Sequence, residues 1–350
     1  MKKNFFKKTW FQIILILLLT IVFFYLFFRE VKITKVISNL ADVNLIFLIL
    51  IIILTPVHLL IRAVRWDYLL RPEKKRISVY NLFAATTVGF TFSMIFPGRL
   101  GELVKPLYLA KKENMKKGYV IGTVVVERTF DIFAMCSLLG LFLIVNPFYS
   151  SFFNANEEIY SKLKYWGLVG ICIASVLLIV ALSLYFYKNK TLKVITFILK
   201  PIPDSMLQKI LKIFEEFIEG LKFFHSARNL LMYILFSYAV WLWIIFYYWL
   251  MFIAYKDSIN ISISFFLIFP YVFLTMVGAS IPTPGMVGGF DYFSKLGLTS
   301  LYGIDGNLAA AMTLVIHAVQ IIMTCVIGYV ILWKEGLSFI QLKKLSKNFK

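Results

Sequence analysis

The chain has 350 residues, 60% of them hydrophobic and 16% charged, with a mean hydropathy of +0.82. A water-soluble domain is about 45–50% apolar and about 25% charged, so a soluble enzyme or binding module is excluded as the bulk of the chain. The net charge of +19 sits in short clusters beside apolar runs, such as Lys2, Lys3, Lys7 and Lys8, or Lys74, Lys75 and Arg76. That placement is what topology control requires; it suits anionic lipid headgroups as a partner and not nucleic acid.

In chain order, apolar runs of spanning length fall at about 10–28, 45–64, 118–145, 166–187, 229–254 and 306–333. The first follows a basic N-terminus and has no small-residue cleavage site after it, so it reads as an uncleaved span. Cys136, Cys172 and Cys325 lie inside apolar runs without metal or redox spacing and read as packing residues.

Two further apolar segments, 80–96 and 263–281, run into helix-breaking sequences. The first is Pro97-Gly98-Arg99-Leu100-Gly101, the second Pro284-Gly285-Met286-Val287-Gly288, with Pro282 just ahead of it. Both are P-G-x-x-G, and both follow a Val-Gly pair, Val88-Gly89 and Val277-Gly278. Proline removes a donor and glycine frees the backbone, so each should interrupt a helix. The basic residues argue the same way: residues 97–117 carry six Lys and Arg, and simple alternation of spans would leave them outside. Hairpins at 80–96 with 98–110 and at 263–281 with 290–302, entering from opposite sides, remove the conflict and leave both termini cytoplasmic.

The expected fold is therefore an all-α polytopic integral membrane protein. It is a single transmembrane domain over 1–350, built as an inverted repeat of three spans plus a re-entrant Pro-Gly hairpin in each half, 10–145 and 166–333. Such repeats with broken helices are a transporter pattern, with the site near the membrane midplane. Residues 188–228 form a cytoplasmic amphipathic insertion, in which Met206, Leu207, Ile210, Leu211, Phe214, Phe217, Ile218 and Leu221 recur at helical spacing. Residues 334–350 form a basic cytoplasmic tail.

Charged residues inside apolar runs point to the site. Glu127, Arg128 and Asp131 lie in the middle of the third full span, where a lone Asp or Arg costs about 2.5–3.5 kcal/mol. They must face protein or water, either as an ion pair that locks helices or as the lining of a path for a polar cargo or a proton. Arg99, in the first break, has a planar donor fork that suits a phosphate, and Glu102 and Lys105 follow it. Asp291 follows the second break. His317 on the last span reads first as a hydrogen-bonded packing residue, and with Glu127 and Asp131 as a candidate proton relay. Arg62 and Arg65, with Trp66, end the second span and read first as an interfacial anchor, then as a headgroup contact. No Walker A sequence, metal-ligand cluster or nucleophile with a base is present; no cofactor and no metal are expected.

Asn81, Gly89, Phe96-Pro97-Gly98-Arg99-Leu100-Gly101-Glu102, Val126-Glu127-Arg128-Thr129-Phe130-Asp131 and Pro282-Thr283-Pro284-Gly285 with Gly288 together resemble the lysylphosphatidylglycerol synthase transmembrane (flippase-like) family. The resemblance implies a membrane module that moves lipid between leaflets, without the soluble synthase domain of bifunctional members. Met286 stands where the family usually has Gly, and Asp291 where it has Glu. The expected function is translocation of a phosphate-bearing lipid, a membrane phospholipid or a lipid-linked substrate, in a bacterial plasma membrane. A second copy of the chain is left open as a partner. The alternatives are a membrane-embedded transferase on a lipid-linked substrate and a scaffold that transports nothing.

Overall fold

The computed structural model describes residues 2–145, 157–198, 226–259 and 263–337, with seven helical positions between 207 and 219. Among the described residues the secondary structure is helical, with no strand. The order is α1 (Lys2–Phe28), α2 (Ile33–Leu40), α3 (Leu45–Leu70), α4 (Val79–Ile95), α5 (Gly101–Glu113), α6 (Lys117–Val145), α7 (Glu157–Phe186) and α8 (Lys188–Ile198), followed by α9 (Ala227–Ala254), α10 (Ile268–Ala279), α11 (Gly289–Tyr302) and α12 (Gly306–Lys334).

Local chemistry sets the ends of these helices. The Asn44 side chain accepts from the Ile46 N–H at 3.0 Å to start α3, and Asp305 accepts from Asn307 and Leu308 to start α12. Asn114 and Gly303 stop α5 and α11 in the left-handed conformation. The apolar pattern is inside out for a soluble protein: Ile46, Ile49 and Ile53 of α3 and Ile322, Val326 and Trp333 of α12 are exposed. Helices α3, α9 and α12 are each long and apolar enough to cross a membrane, and α1 with α2 would add a fourth span bent by 79°. Helix α6, at 29 residues, is long enough too but carries Glu127, Arg128 and Asp131 in its middle. The molecule is a multi-pass helical membrane protein.

Between the first two apolar runs, α2 occupies Ile33–Leu40. Ile33, Val36, Ile37 and Leu40 recur at helical spacing, and α2 lays the buried Val36 toward α12. The amphipathic insertion lies mostly outside the described residues. At its described positions, Glu216 accepts from the Gly118 N–H at 3.0 Å and Glu219 pairs with Lys116 at 3.0 Å, both at the start of α6. The tail beyond residue 337 also lies outside them.

Two helical hairpins, α4 with α5 and α10 with α11, form the centre. In each, the arms cross at a pair of glycines. A Cβ on Gly89 would stand 2.6 Å from that of Lys105, and the Gly89 and Gly101 main chains touch directly. A Cβ on Gly278 would stand 2.7 Å from that of Phe293, with Gly278 against Gly289. Any larger side chain at these crossings would wedge the arms apart. Helix α9 lies along α3, α12 packs on α4 and α11, and α6 packs on α5 and α10.

Candidate functional site

Both P-G-x-x-G sequences begin their turn in the same way and leave it differently: Leu100 is already helical, whereas Val287 is extended and Gly288 has a φ of 87°. Gly98 and Arg99 have φ of 74° and 52°, and Gly285 and Met286 have 61° and 62°. Each break is therefore a left-handed pair, a glycine followed by a residue with a Cβ, which in that region is strained. Met286 occupies a position where glycine would relax the turn, a physical reason for the glycine expected there. The two tips meet: the Gly98 N–H donates to the Pro282 carbonyl at 3.2 Å, and the Arg99 guanidinium donates to the Ala279 carbonyl. Met94, at the end of α4, brings its carbonyl against Gly285.

Beside the joined tips lies a cavity of about 360 Å³, within the roughly 300–1,000 Å³ of small-molecule sites. One part of its wall is charged, with Arg62 from α3, Arg99, Glu102 and Lys105 from the first hairpin, and Arg128 and Asp131 from α6. Another part is aromatic, from Trp241, Trp243, Tyr247 and Tyr248 of α9. The side chains of Arg128 and Arg99 remain 34% and 31% exposed, so these two cations are presented to the open space.

Behind that wall is a buried ion network. Arg65 bridges both acids of α6, at 3.0 Å from Glu127 and 2.5 Å from Asp131. Lys105 reaches Glu127 at 2.5 Å, Arg62 stands 3.6 Å from Asp131, and Arg128 contacts Glu127 at 3.0 Å and Asp131 at 3.4 Å. The i, i+4 spacing of Glu127 and Asp131 puts both on the face that meets α3. Lys105 also lies over the Trp66 ring, whose indole N–H donates to Thr123 at 2.9 Å.

This geometry overturns the interfacial reading of Arg62 and Arg65. Helix α3 continues to Leu70, Trp66, Leu69 and Leu70 are buried, and Arg62 and Arg65 are 5% and 0% exposed. An arginine that seemed to mark the end of a span is the centre of the network. Arg65 and Glu127 are shut off from the cavity; Arg62, Arg99, Glu102, Lys105, Arg128 and Asp131 line it. Glu102 pairs with Arg99 at 3.2 Å.

Asp291 and His317 are brought together elsewhere, behind the second break. Asp291 accepts from the Gly288 N–H at 2.8 Å and faces the His317 Nδ1 at 2.6 Å, while the His317 Nε2 meets the Gly285 carbonyl at 2.9 Å. The carbonyl can only accept, so Nε2 is the donor in that contact. His317 thus holds the backbone of the turn, and its partners are not the carboxylates of α6. Sequence reasoning missed His58, which accepts from the Arg62 Nε at 2.7 Å and lines the cavity; its place one turn before Arg62 was the available signal. It missed the α9 aromatic wall as well, because α9 is aromatic on several faces. Among the described residues no group of His, Cys, Asp and Glu is arranged to hold a metal ion.

A helical membrane protein with two broken hairpins and a charged cavity between them is the class these features define. The chain belongs to the lysylphosphatidylglycerol synthase TM region family, whose model matches residues 12–328. It is 26% identical over 328 residues to the UPF0104 membrane protein MJ1595 of Methanocaldococcus jannaschii, covering 90% of this chain and 93% of that protein. A second relative in the same organism, the UPF0104 membrane protein MJ1078, is 31% identical over 107 residues, 29% of this chain and 42% of that protein. No solved structure matches the chain.

Proposed function

We propose that the protein translocates a phosphate-bearing lipid between membrane leaflets. The observation that carries this reading is the cavity at the meeting of the two broken hairpins, with Arg99 and Arg128 presented to it and an aromatic wall beside them. The cationic side suits a phosphate-bearing headgroup, and acyl chains would remain in lipid. In this reading the hairpins are re-entrant, one from each side, and the halves 10–145 and 166–333 are inverted repeats. The matched P-G-x-x-G turns, left-handed pairs and glycine crossings support it. The distribution of Lys and Arg supports cytoplasmic termini in a bacterial plasma membrane. Glu127 and Asp131 position the cations; a proton passing through them would couple transport to a gradient.

The test is leaflet exchange of labelled lipids in proteoliposomes, with Arg99→Ala and Arg128→Ala beside the unchanged protein. Exchange should exceed that of empty liposomes and fall about tenfold, the equivalent of about 1.4 kcal/mol at the barrier, in each variant that keeps its fold. A broad lipid panel in which nothing exchanges faster than in empty liposomes would overturn the reading.

A further inference from the structure

The charges around the cavity do not balance. Four cations, Arg62, Arg65, Lys105 and Arg128, contact two carboxylates, Glu127 and Asp131, and the neighbouring Arg99 is matched by Glu102. The excess is two positive charges. His58 does not offset it, since its Nε2 accepts from Arg62 and no acid replaces it. The excess leaves the cavity wall electropositive, so the cavity favours an occupant that supplies negative charge.

The unmatched polar atoms of the wall point the same way. Among the described residues, Arg128 Nε, Trp241 Nε1 and Trp243 Nε1 are buried N–H donors without a hydrogen-bond partner, and the Thr283 hydroxyl, which can donate or accept, is unpaired as well. All four belong to residues that line the cavity, with the atoms themselves lying behind its surface. One acceptor, Asp131 Oδ2, also lacks a hydrogen bond, but it stands 3.6 Å from Arg62 and 3.4 Å from Arg128. A wall with surplus positive charge suits an occupant that brings negative charge and acceptor oxygens.

We infer that this occupant is a phosphomonoester headgroup on a lipid. The lipid part rests on the translocation reading above; the headgroup follows from the wall. A phosphomonoester carries about −1.5 to −2 charges near neutral pH and three acceptor oxygens, which matches the excess. A phosphodiester headgroup such as that of phosphatidylglycerol brings one negative charge and leaves a cation unmatched. Zwitterionic or aminoacylated headgroups add a cation of their own to a wall that already has too many.

Lipid retention by the purified full chain tests this, read by native mass spectrometry at neutral pH and physiological salt. The probes are phosphatidic acid, phosphatidylglycerol and phosphatidylethanolamine with identical acyl chains, and a polyprenyl monophosphate. Phosphatidic acid and the polyprenyl monophosphate should be held about tenfold more tightly than phosphatidylglycerol, and phosphatidylethanolamine least. Arg128→Gln should bring phosphatidic acid down to the level of phosphatidylglycerol and change the latter little. Equal retention of the mono- and diester lipids by the unchanged protein overturns the inference without need of any variant. Inorganic phosphate that displaces phosphatidic acid at equal concentration would overturn the lipid as its source; failure to displace it supports the lipid. Selective retention without leaflet exchange would sink the translocation reading and leave the headgroup assignment standing. Phosphatidylglycerol exchanged as fast as phosphatidic acid would do the reverse.

Discussion

The two hairpins begin their turns alike and are held in different ways. Both pass through a left-handed pair and cross at touching glycines, although the second turn takes one residue more to reach its helix. Around the first, a network of full charges spans α3, α5 and α6. Around the second, Asp291 and His317 satisfy the turn's own Gly288 N–H and Gly285 carbonyl with no surplus charge. The contrast is one of charge: the first break stands beside a network of full charges, the second is held by a local pair.

Substitutions can test that contrast, and the largest effect is expected where charge is buried. Arg65→Leu leaves Glu127 and Asp131 short of their bridging cation and should cost about 3–5 kcal/mol, seen as a large fall in thermal stability in detergent. His317→Phe, its counterpart behind the second break, should cost about 1–3 kcal/mol by leaving the Gly285 carbonyl and the Oδ1 of Asp291 without their partner. It should leave the retention of anionic lipid intact. Equal losses in the two variants would end the comparison.

The crossings should be equally sensitive. Gly89→Ala and Gly278→Ala each push a methyl against the opposite arm and should lose about 1–3 kcal/mol; a tolerant Gly278 would show that the second hairpin is the looser one. Smaller effects are expected at the left-handed residues. Met286→Gly removes a strain of about 1–2 kcal/mol against a glycine entropy cost of about 0.5–1 kcal/mol, so melting should shift upward slightly. Arg99→Gly relieves the same strain but should reduce lipid retention, which separates the roles of the two tips.

The smallest effect lies at the polar end of α5. Burial draws the Glu113 carboxyl upward, but hydrogen bonds from Asn81 and Lys74 outweigh it and hold the group below the ordinary glutamate range. A depressed folded-state value means that the contribution is present above the unfolded value, about 4.3, and is lost as the pH falls through the folded one. Acid titration of stability should show this loss, and Glu113→Gln should abolish it.

Much of this was legible because a bilayer punishes exceptions. Apolar runs of spanning length and two P-G-x-x-G interruptions are coarse signals, and Glu127, Arg128 and Asp131 stand out where charge is costly. Arg65 was misread because it lies at the edge of an apolar run, where an anchor and a buried bridge carry the same residue. Only the continuation of α3 through Trp66 to Leu70 separates them. His58 and the aromatic wall escaped because their meaning depends on which helix lies opposite, and hydropathy does not report that. The shared turn geometry could be anticipated from Pro and Gly; the bonds from His317 to both Asp291 and Gly285 could not.

The junction of the tips has a consequence of another kind. Gly98 and Pro282 meet through main-chain atoms, so this bond, unlike the one from Arg99 to Ala279 beside it, does not depend on a side-chain donor. Substitutions in the cavity wall can therefore alter its chemistry while this main-chain bond stays as it is.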